Sequence, residues 1–88
     1  MANYEVLIKE SALEELASVS RRQDLRKIVQ RIRSLAQQPR PQGCEKLSGS
    51  DRYRVRQGDF RIIYEVADPT ATVVVVKIGN RRDVYRQT

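Results

Sequence analysis

The sequence predicts an α+β fold of order β-α-α-β-β-β, an antiparallel sheet with a helical hairpin packed on one face. Three observations predict it. An apolar stripe at three- and four-residue steps runs through residues 25–36, and strict two-residue alternation replaces it after residue 51. Tight-turn signals then link three successive strand-like runs. The short run Tyr4-Glu5-Val6-Leu7-Ile8 reads as the first strand. Ser11-Ala12-Leu13-Glu14 has the spacing of a capping box, hydroxyl and carboxylate each satisfying an orphan amide at a helix start. Leu13, Leu16 and Val19 follow at helical spacing. Ser20-Arg21-Arg22-Gln23 repeats the box, so one helix ends near Val19 and the next begins at once. In that second helix Leu25, Ile28, Val29, Ile32, Leu35 and Ala36 form a single apolar stripe. It stops before Pro39, which disfavours helix in the residue ahead of it. The tight turn between the helices predicts an antiparallel pair.

Residues 38–50 read as a loop, since Pro39, Pro41, Gly43 and Gly49 break any period. Arg52-Tyr53-Arg54-Val55-Arg56 then alternates, with three arginines on one face and Tyr53 and Val55 on the other. Gln57-Gly58-Asp59 reads as a hairpin turn, 60–66 as the returning strand, Asp68-Pro69-Thr70 as the next turn and 72–78 as the last strand. Gly79 ends it, leaving a basic tail. A chain of 88 residues holds one core, so 1–88 is a single domain.

Composition narrows the chemistry. Lys and Arg number 17 against 11 Asp and Glu, a formal net charge of +6, which favours a polyanionic partner. There is no histidine, and Cys44 is the single cysteine. A Cys/His zinc site, an intrachain disulfide and an imidazole base are therefore excluded. The N-terminus lacks the basic and apolar regions of a signal peptide. The longest apolar run, Val73 to Val76, is far short of the roughly 20 residues of a membrane span. With Cys44 unpaired, the expected location is the cytoplasm.

Strand parity gives the charge a place. Phe60, Ile62, Tyr64 and Val66 share one face, with Arg61, Ile63 and Glu65 opposite; Val74, Val76 and Ile78 share a face, with Val73, Val75 and Lys77 opposite. If the wholly apolar faces meet the helices, then Arg52, Arg54, Arg56, Arg61 and Lys77 fall on the uncovered one. Alternating Arg on a half-exposed strand is also what a plain solvated sheet face looks like. Against that, like charges side by side repel, and the planar guanidinium fork suits phosphate oxygens. No phosphate-binding glycine loop occurs, and Asp51, Asp59, Glu65, Asp68 and Asp83 show no metal-ligand spacing. Arg21, Arg22, Arg26, Lys27, Arg31 and Arg33 read as a solvated helix face; Arg22/Arg26 and Lys27/Arg31 are like-charge pairs that an acidic partner would relieve.

Four segments carry a resemblance: Lys46-Leu47-Ser48-Gly49, Tyr53-Arg54-Val55-Arg56, 58–64 (Gly-Asp-Phe-Arg-Ile-Ile-Tyr) and 78–85 (Ile-Gly-Asn-Arg-Arg-Asp-Val-Tyr). In that order they resemble the RelE family of bacterial toxins, of type II toxin–antitoxin systems, and the element order matches the RelE/ParE fold. The resemblance implies an endoribonuclease that cuts mRNA in the ribosomal A site without a metal or other cofactor. In that chemistry the ribose 2′-hydroxyl attacks the adjacent phosphate, leaving a 2′,3′-cyclic phosphate and a 5′-hydroxyl. It implies Arg61 and Arg81 on the scissile phosphate, with Arg54 and Arg56 where some relatives carry lysines, and Tyr85 in proton transfer or stacking. Lys46, Arg52 and Arg82 are expected on RNA backbone phosphates. An arginine stays protonated and so does not copy a lysine base; Arg54 and Arg56 are cast as charge stabilisers. The base is then Tyr85 or a ribosomal RNA group, or proton removal is weakly catalysed. The implied partners are mRNA, the ribosome and a RelB-like antitoxin that wraps the basic surface, with DNA contact only through the antitoxin complex. Two other readings stand beside this one: a ParE-like gyrase inhibitor without nuclease activity, and a non-catalytic RNA-binding module.

Overall fold

Strand β1 (Glu5–Ile8) passes through one residue, Lys9, into helix α1 (Glu10–Ala17). Lys9 serves both elements: its N–H donates to the Val75 carbonyl (2.9 Å), and its carbonyl accepts from Leu13 N–H (2.8 Å). The helix therefore starts at Glu10, ahead of Ser11, and α2 (Arg22–Ser34) starts one residue past Arg21. Neither helix has a side-chain cap bond, so the two predicted capping boxes do not form. Glu10 and Asp24 in the first turns, and Arg31 and Arg33 in the last turn of α2, complement the helix dipoles instead. The computed structural model of the protein describes residues 3–47, 49 and 51–80.

After α2 come β2 (Glu45–Lys46), β3 (Arg52–Gln57), β4 (Phe60–Ala67), a 3₁₀ turn over Asp68–Thr70 and β5 (Thr72–Asn80). The five strands form one sheet in the order β1-β5-β4-β3-β2. Only the β1–β5 pairing is parallel, so the sheet is mostly antiparallel, as expected. The two-residue strand β2, inside the stretch read as a loop, is an addition to the expected order. Gly58 at φ +61° opens the β3–β4 turn and Asp59 completes it; a positive φ at the first position alone is the type II′ pattern that Gly favours.

Ala12 and Leu16 of α1, Ile28 and Ile32 of α2 and Leu35 just past it pack on Tyr53, Val55, Ile62, Tyr64 and Val66 of the sheet, all buried. Burial of each Val, Leu or Ile among them contributes ~1.5–3 kcal/mol. On β5 the parity reading fails in part. The buried residues are Val73, Val75 and Ile78, where the sequence suggested Val74, Val76 and Ile78. The reason is a bulge: Ile63 pairs with Lys77 but Tyr64 pairs with Val75, so Val76 is the extra residue and alternation reverses across it.

The segment between α2 and β2 is held down by the sheet's aromatic residues. Tyr64 Oη donates to the Pro39 carbonyl (2.7 Å), and the Tyr64 and Tyr53 rings stack with centroids 5.8 Å apart. Arg40 Nε donates to Tyr53 Oη (2.9 Å) and its two terminal nitrogens grip Asp68 at 3.2 and 2.8 Å, while Tyr4 Oη donates to the same carboxylate (2.7 Å). Arg40 and then Tyr4 hold the Asp68 carboxyl below its ordinary range. Burial, followed by the nearby Cys44, pushes the Tyr64 phenol well above its own. Among the described residues, no helix is long and apolar enough to cross a membrane.

Candidate functional site

Residues directly opposite in an antiparallel pair share a face, so the register fixes what meets on the side away from the helices. Three cross-strand rows lie there along β3 and β4: Arg52 opposite Glu65, Arg54 opposite Ile63, and Arg56 opposite Arg61. The rows continue onto the neighbours, with Glu45 of β2 beside Arg54, Lys77 of β5 beside Ile63, and Gly79 beside Arg61. The sheet thus brings Arg52, Arg54, Arg56, Arg61 and Lys77 onto one face, as the strand parity predicted.

The charge on that face is not uniform. Arg52 Nε bonds Glu65 Oε2 (2.9 Å), and Arg54 Nη2 bonds Glu45 Oε1 (3.0 Å). Lys77 turns to α1, where Glu15 accepts from its Nζ (3.0 Å) and from Ile78 N–H (2.9 Å). Acids are therefore interleaved at the far end and the middle: Glu65, which the strand parity put on this face, with Glu45 and Glu15. At the hairpin end it is different. Arg56 faces Arg61, the next neighbour across is glycine, and Arg56 is exposed with no ion pair to the described residues.

Arg61 is not displayed as expected: it is 1% exposed, the one buried charged residue among those described. With Gly79 opposite, no β5 side chain competes for the space beside it. In a low-dielectric setting a guanidinium acts more strongly on an anion than one in water.

Lys46 does not join this group. It pairs with Tyr53, so it sits in register with the helix-side face at the sheet's outer edge, exposed. Arg81, Arg82 and Tyr85 lie outside the described residues. The last residue of β5, Asn80, lies opposite Phe60, the neighbour of Arg61. Glu45 is a residue the sequence reading missed, because a two-residue edge strand carries no periodic signal. Among the described residues, no group of three Cys, Asp or Glu side chains is placed to hold a metal ion.

A second surface lies on the helix side. Val6, Ile8, Leu16, Val29 and Ile32 line an apolar groove of about 190 Å³ with Arg33 at its rim. Val29 and Arg33 also border a broader depression on α2 with Leu25, Arg22 and Arg26. An apolar floor edged by arginines suits an amphipathic, acidic segment.

Comparison with known proteins gives the family and the fold. Residues 6–85 match the family model described as the ParE toxin of the type II toxin–antitoxin system, parDE. Toxin RelG of Mycobacterium tuberculosis is 34% identical over 35 residues, a segment spanning 40% of this chain and only 40% of that relative. The fold is similar to that in the toxin–antitoxin complex RelBE2 of Mycobacterium tuberculosis, with a TM-score of 0.80 and 23% identity over 92% of this chain and 94% of that one. The RelE–RelB complex of Pyrococcus horikoshii gives a TM-score of 0.77 and 26% identity over 90% and 96% of the two chains. The isolated E. coli RelE toxin gives 0.76 and 22% over 97% and 99%.

Proposed function

This chain belongs to the RelE/ParE superfamily of type II toxin–antitoxin toxins, and from that premise we propose that it is a RelE-type endoribonuclease that cuts ribosome-bound mRNA. The observation that carries the reading is the Arg56–Arg61 row, two guanidinium-bearing residues opposed across a hairpin with glycine at the third strand, Arg61 being 1% exposed. Like charges set directly opposite destabilise a sheet; an anion between them reverses the sign of that contribution. A phosphodiester is such an anion. Attack by the 2′-hydroxyl adds charge to the phosphoryl oxygens, and fixed donors that meet this charge lower the barrier.

In this reading Arg61 and Arg56 hold the scissile phosphate, and Arg81, one peptide bond beyond Asn80, adds a third cation. Arg54 stabilises charge from the next row, Tyr85 serves near the leaving group, and Arg52 and Arg82 track the flanking backbone. Lys46 is assigned to the same backbone, approaching from the sheet edge. The ribosome supplies orientation of the message, so naked RNA is a poor substrate. The partner is an antitoxin, as in the solved RelE–RelB complexes, and the arginine-edged groove on the helix side gives an acidic amphipathic segment a place to bind.

The experiment is brief induction in cells with mapping of message 5′ ends, beside Arg61→Ala. Cuts phased to the reading frame are expected, falling by on the order of 10²–10³ in the variant while the purified variant stays folded. Absent or unphased cuts overturn the reading. The match to the ParE model favours one alternative, inhibition of DNA gyrase without cleavage; arrest with DNA damage and intact messages identifies it.

A further inference from the structure

We propose that Glu45 is the general base that takes the proton from the attacking 2′-hydroxyl, with Arg54 holding its carboxylate in place; this rests on the endoribonuclease reading above. The reaction needs a proton acceptor at the 2′-oxygen, and the chain has no histidine. The arginines that crowd the site do not supply one, because a guanidinium stays protonated.

Among the described residues two carboxylates, Glu45 and Glu65, lie in rows of the arginine face, and their positions separate them. Glu65 sits in the Arg52 row, four residues along β4 from Arg61, about 13 Å at ~3.3 Å per residue. Glu45 sits in the Arg54 row, two residues along and one strand across from Arg56, about 8 Å at ~3.3 Å per residue and ~4.8 Å between strands. One nucleotide reaches across that shorter gap, its phosphate on Arg56 and Arg61 and its ribose toward Glu45.

The local contacts fit a base. Only Oε1 of Glu45 is engaged, by Arg54 Nη2 at 3.0 Å; Oε2 accepts no hydrogen bond from the described residues, and the side chain is 55% exposed. Arg54 is more enclosed, 23% exposed, and its Nε is buried without a hydrogen-bond partner. That arrangement leaves a donor unsatisfied, which a purely stabilising ion pair would avoid. It also orients the carboxylate, as a third group orients the base in other hydrolytic sites.

The step balances as follows. The 2′-oxygen bonds to phosphorus as its proton passes to Glu45 Oε2. The bond from phosphorus to the 5′-oxygen breaks, and that oxygen takes a proton from solvent water. The products are a 2′,3′-cyclic phosphate and a 5′-hydroxyl, and Glu45 returns its proton to solvent.

The test is single-turnover cleavage of mRNA on programmed ribosomes, with ribosome affinity measured separately, for wild type, Glu45→Gln and Glu45→Asp. Gln keeps an acceptor for Arg54 but does not serve as a base. Its cleavage rate is expected to fall by on the order of 10²–10⁴ with affinity unchanged or tighter, while Asp retains part of the activity. The pH profile gives a readout that a structural role would not move. Where a protein group takes the proton, the rate does not follow hydroxide concentration. Glu45→Gln instead rises about tenfold per pH unit, since hydroxide must then remove the proton. If Glu45→Gln matches wild type in rate and profile, or is faster, the base assignment fails and the endoribonuclease reading stands. If wild type cuts no ribosome-bound message, both fail.

Discussion

Glu15 offers a test of how the site's framework is held. One carboxylate oxygen accepts the backbone N–H of Ile78 (2.9 Å) and the other the Lys77 ammonium (3.0 Å). Strand β1 pairs with β5 only from Thr72 to Val75, so beyond that point the outer edge of β5 has no strand beside it. Glu15 supplies the acceptor there, just past the Val76 bulge. Glu15→Ala removes a hydrogen bond to a charged group, about 1.5–3 kcal/mol, from an amide whose residue is 2% exposed. The half-exposed Lys77 pair adds at most ~1 kcal/mol, and the better helix propensity of Ala returns a few tenths. The net expectation is a loss of about 2 kcal/mol. For a domain of this size 1 kcal/mol shifts Tm by ~4–8 °C, so the variant melts about 8–16 °C lower. Urea unfolding gives the free energy, and amide exchange at Ile78 shows whether the loss is local. Glu14→Ala on the exposed side of α1 is the control, within ~0.5 kcal/mol of wild type. If Glu15→Ala unfolds within ~0.5 kcal/mol of wild type, the carboxylate does not anchor β5 and the account of the bulge is wrong.

Two further substitutions test the network that fixes the α2–β2 segment. Tyr64→Phe deletes the bond to the Pro39 carbonyl and is expected to cost about 1–2 kcal/mol by thermal melting. Because the folded state raises the Tyr64 phenol above its ordinary 10.0, its contribution is complete below that pH and is lost as pH rises beyond it. The variant's deficit should shrink in strongly alkaline melts; a constant deficit would show that the phenol's ionisation is not linked to folding. Asp68→Asn tests the opposite sign. The Asp68 carboxyl titrates lower in the fold than its ordinary 3.8, so its stabilisation is present above that pH and disappears as acid protonates it. Melting at neutral pH should separate wild type from the variant, and melting near pH 2 should not.

Much of the fold was legible because each element carried its own period. The Ile28, Ile32, Leu35 stripe is buried as helical spacing required, and the Tyr53, Val55 alternation faces the helices. The misreadings have local causes. Ser11 and Ser20 have the spacing of caps, but Lys9 already joins β5 to α1 by backbone bonds, so the helix starts before the serine could act. The run Val73 to Val76 is apolar on both sides of the chain, and no polar residue marks where the bulge reverses it. Strand β2 is two residues long and exposed, so nothing in its composition separates it from a loop.

The same register reshapes the site inferred from charge. A basic sheet face selected for solubility scatters acids among its cations, and two of the three rows here do that: Glu65 answers Arg52, and Glu45 answers Arg54. The third row differs in register, with Arg56 and Arg61 opposed and Gly79 at the next strand. Bulk repulsion does not explain the exception, because the fold neutralises cations a few ångströms away on the same strands. Burial of Arg61 sharpens the contrast, since a guanidinium loses hydration there that only favourable contacts offset. What separates the rows is chemical task. In the proposed reading the paired rows hold the sheet together and orient a carboxylate, whereas the hairpin row concentrates positive charge for a phosphate. Net charge of +6 would have been met as well by a uniform basic surface. The pairing of acids with Arg52 and Arg54, set against two arginines opposed across the hairpin with glycine at the next strand, is the pattern on which the proposed phosphate site rests.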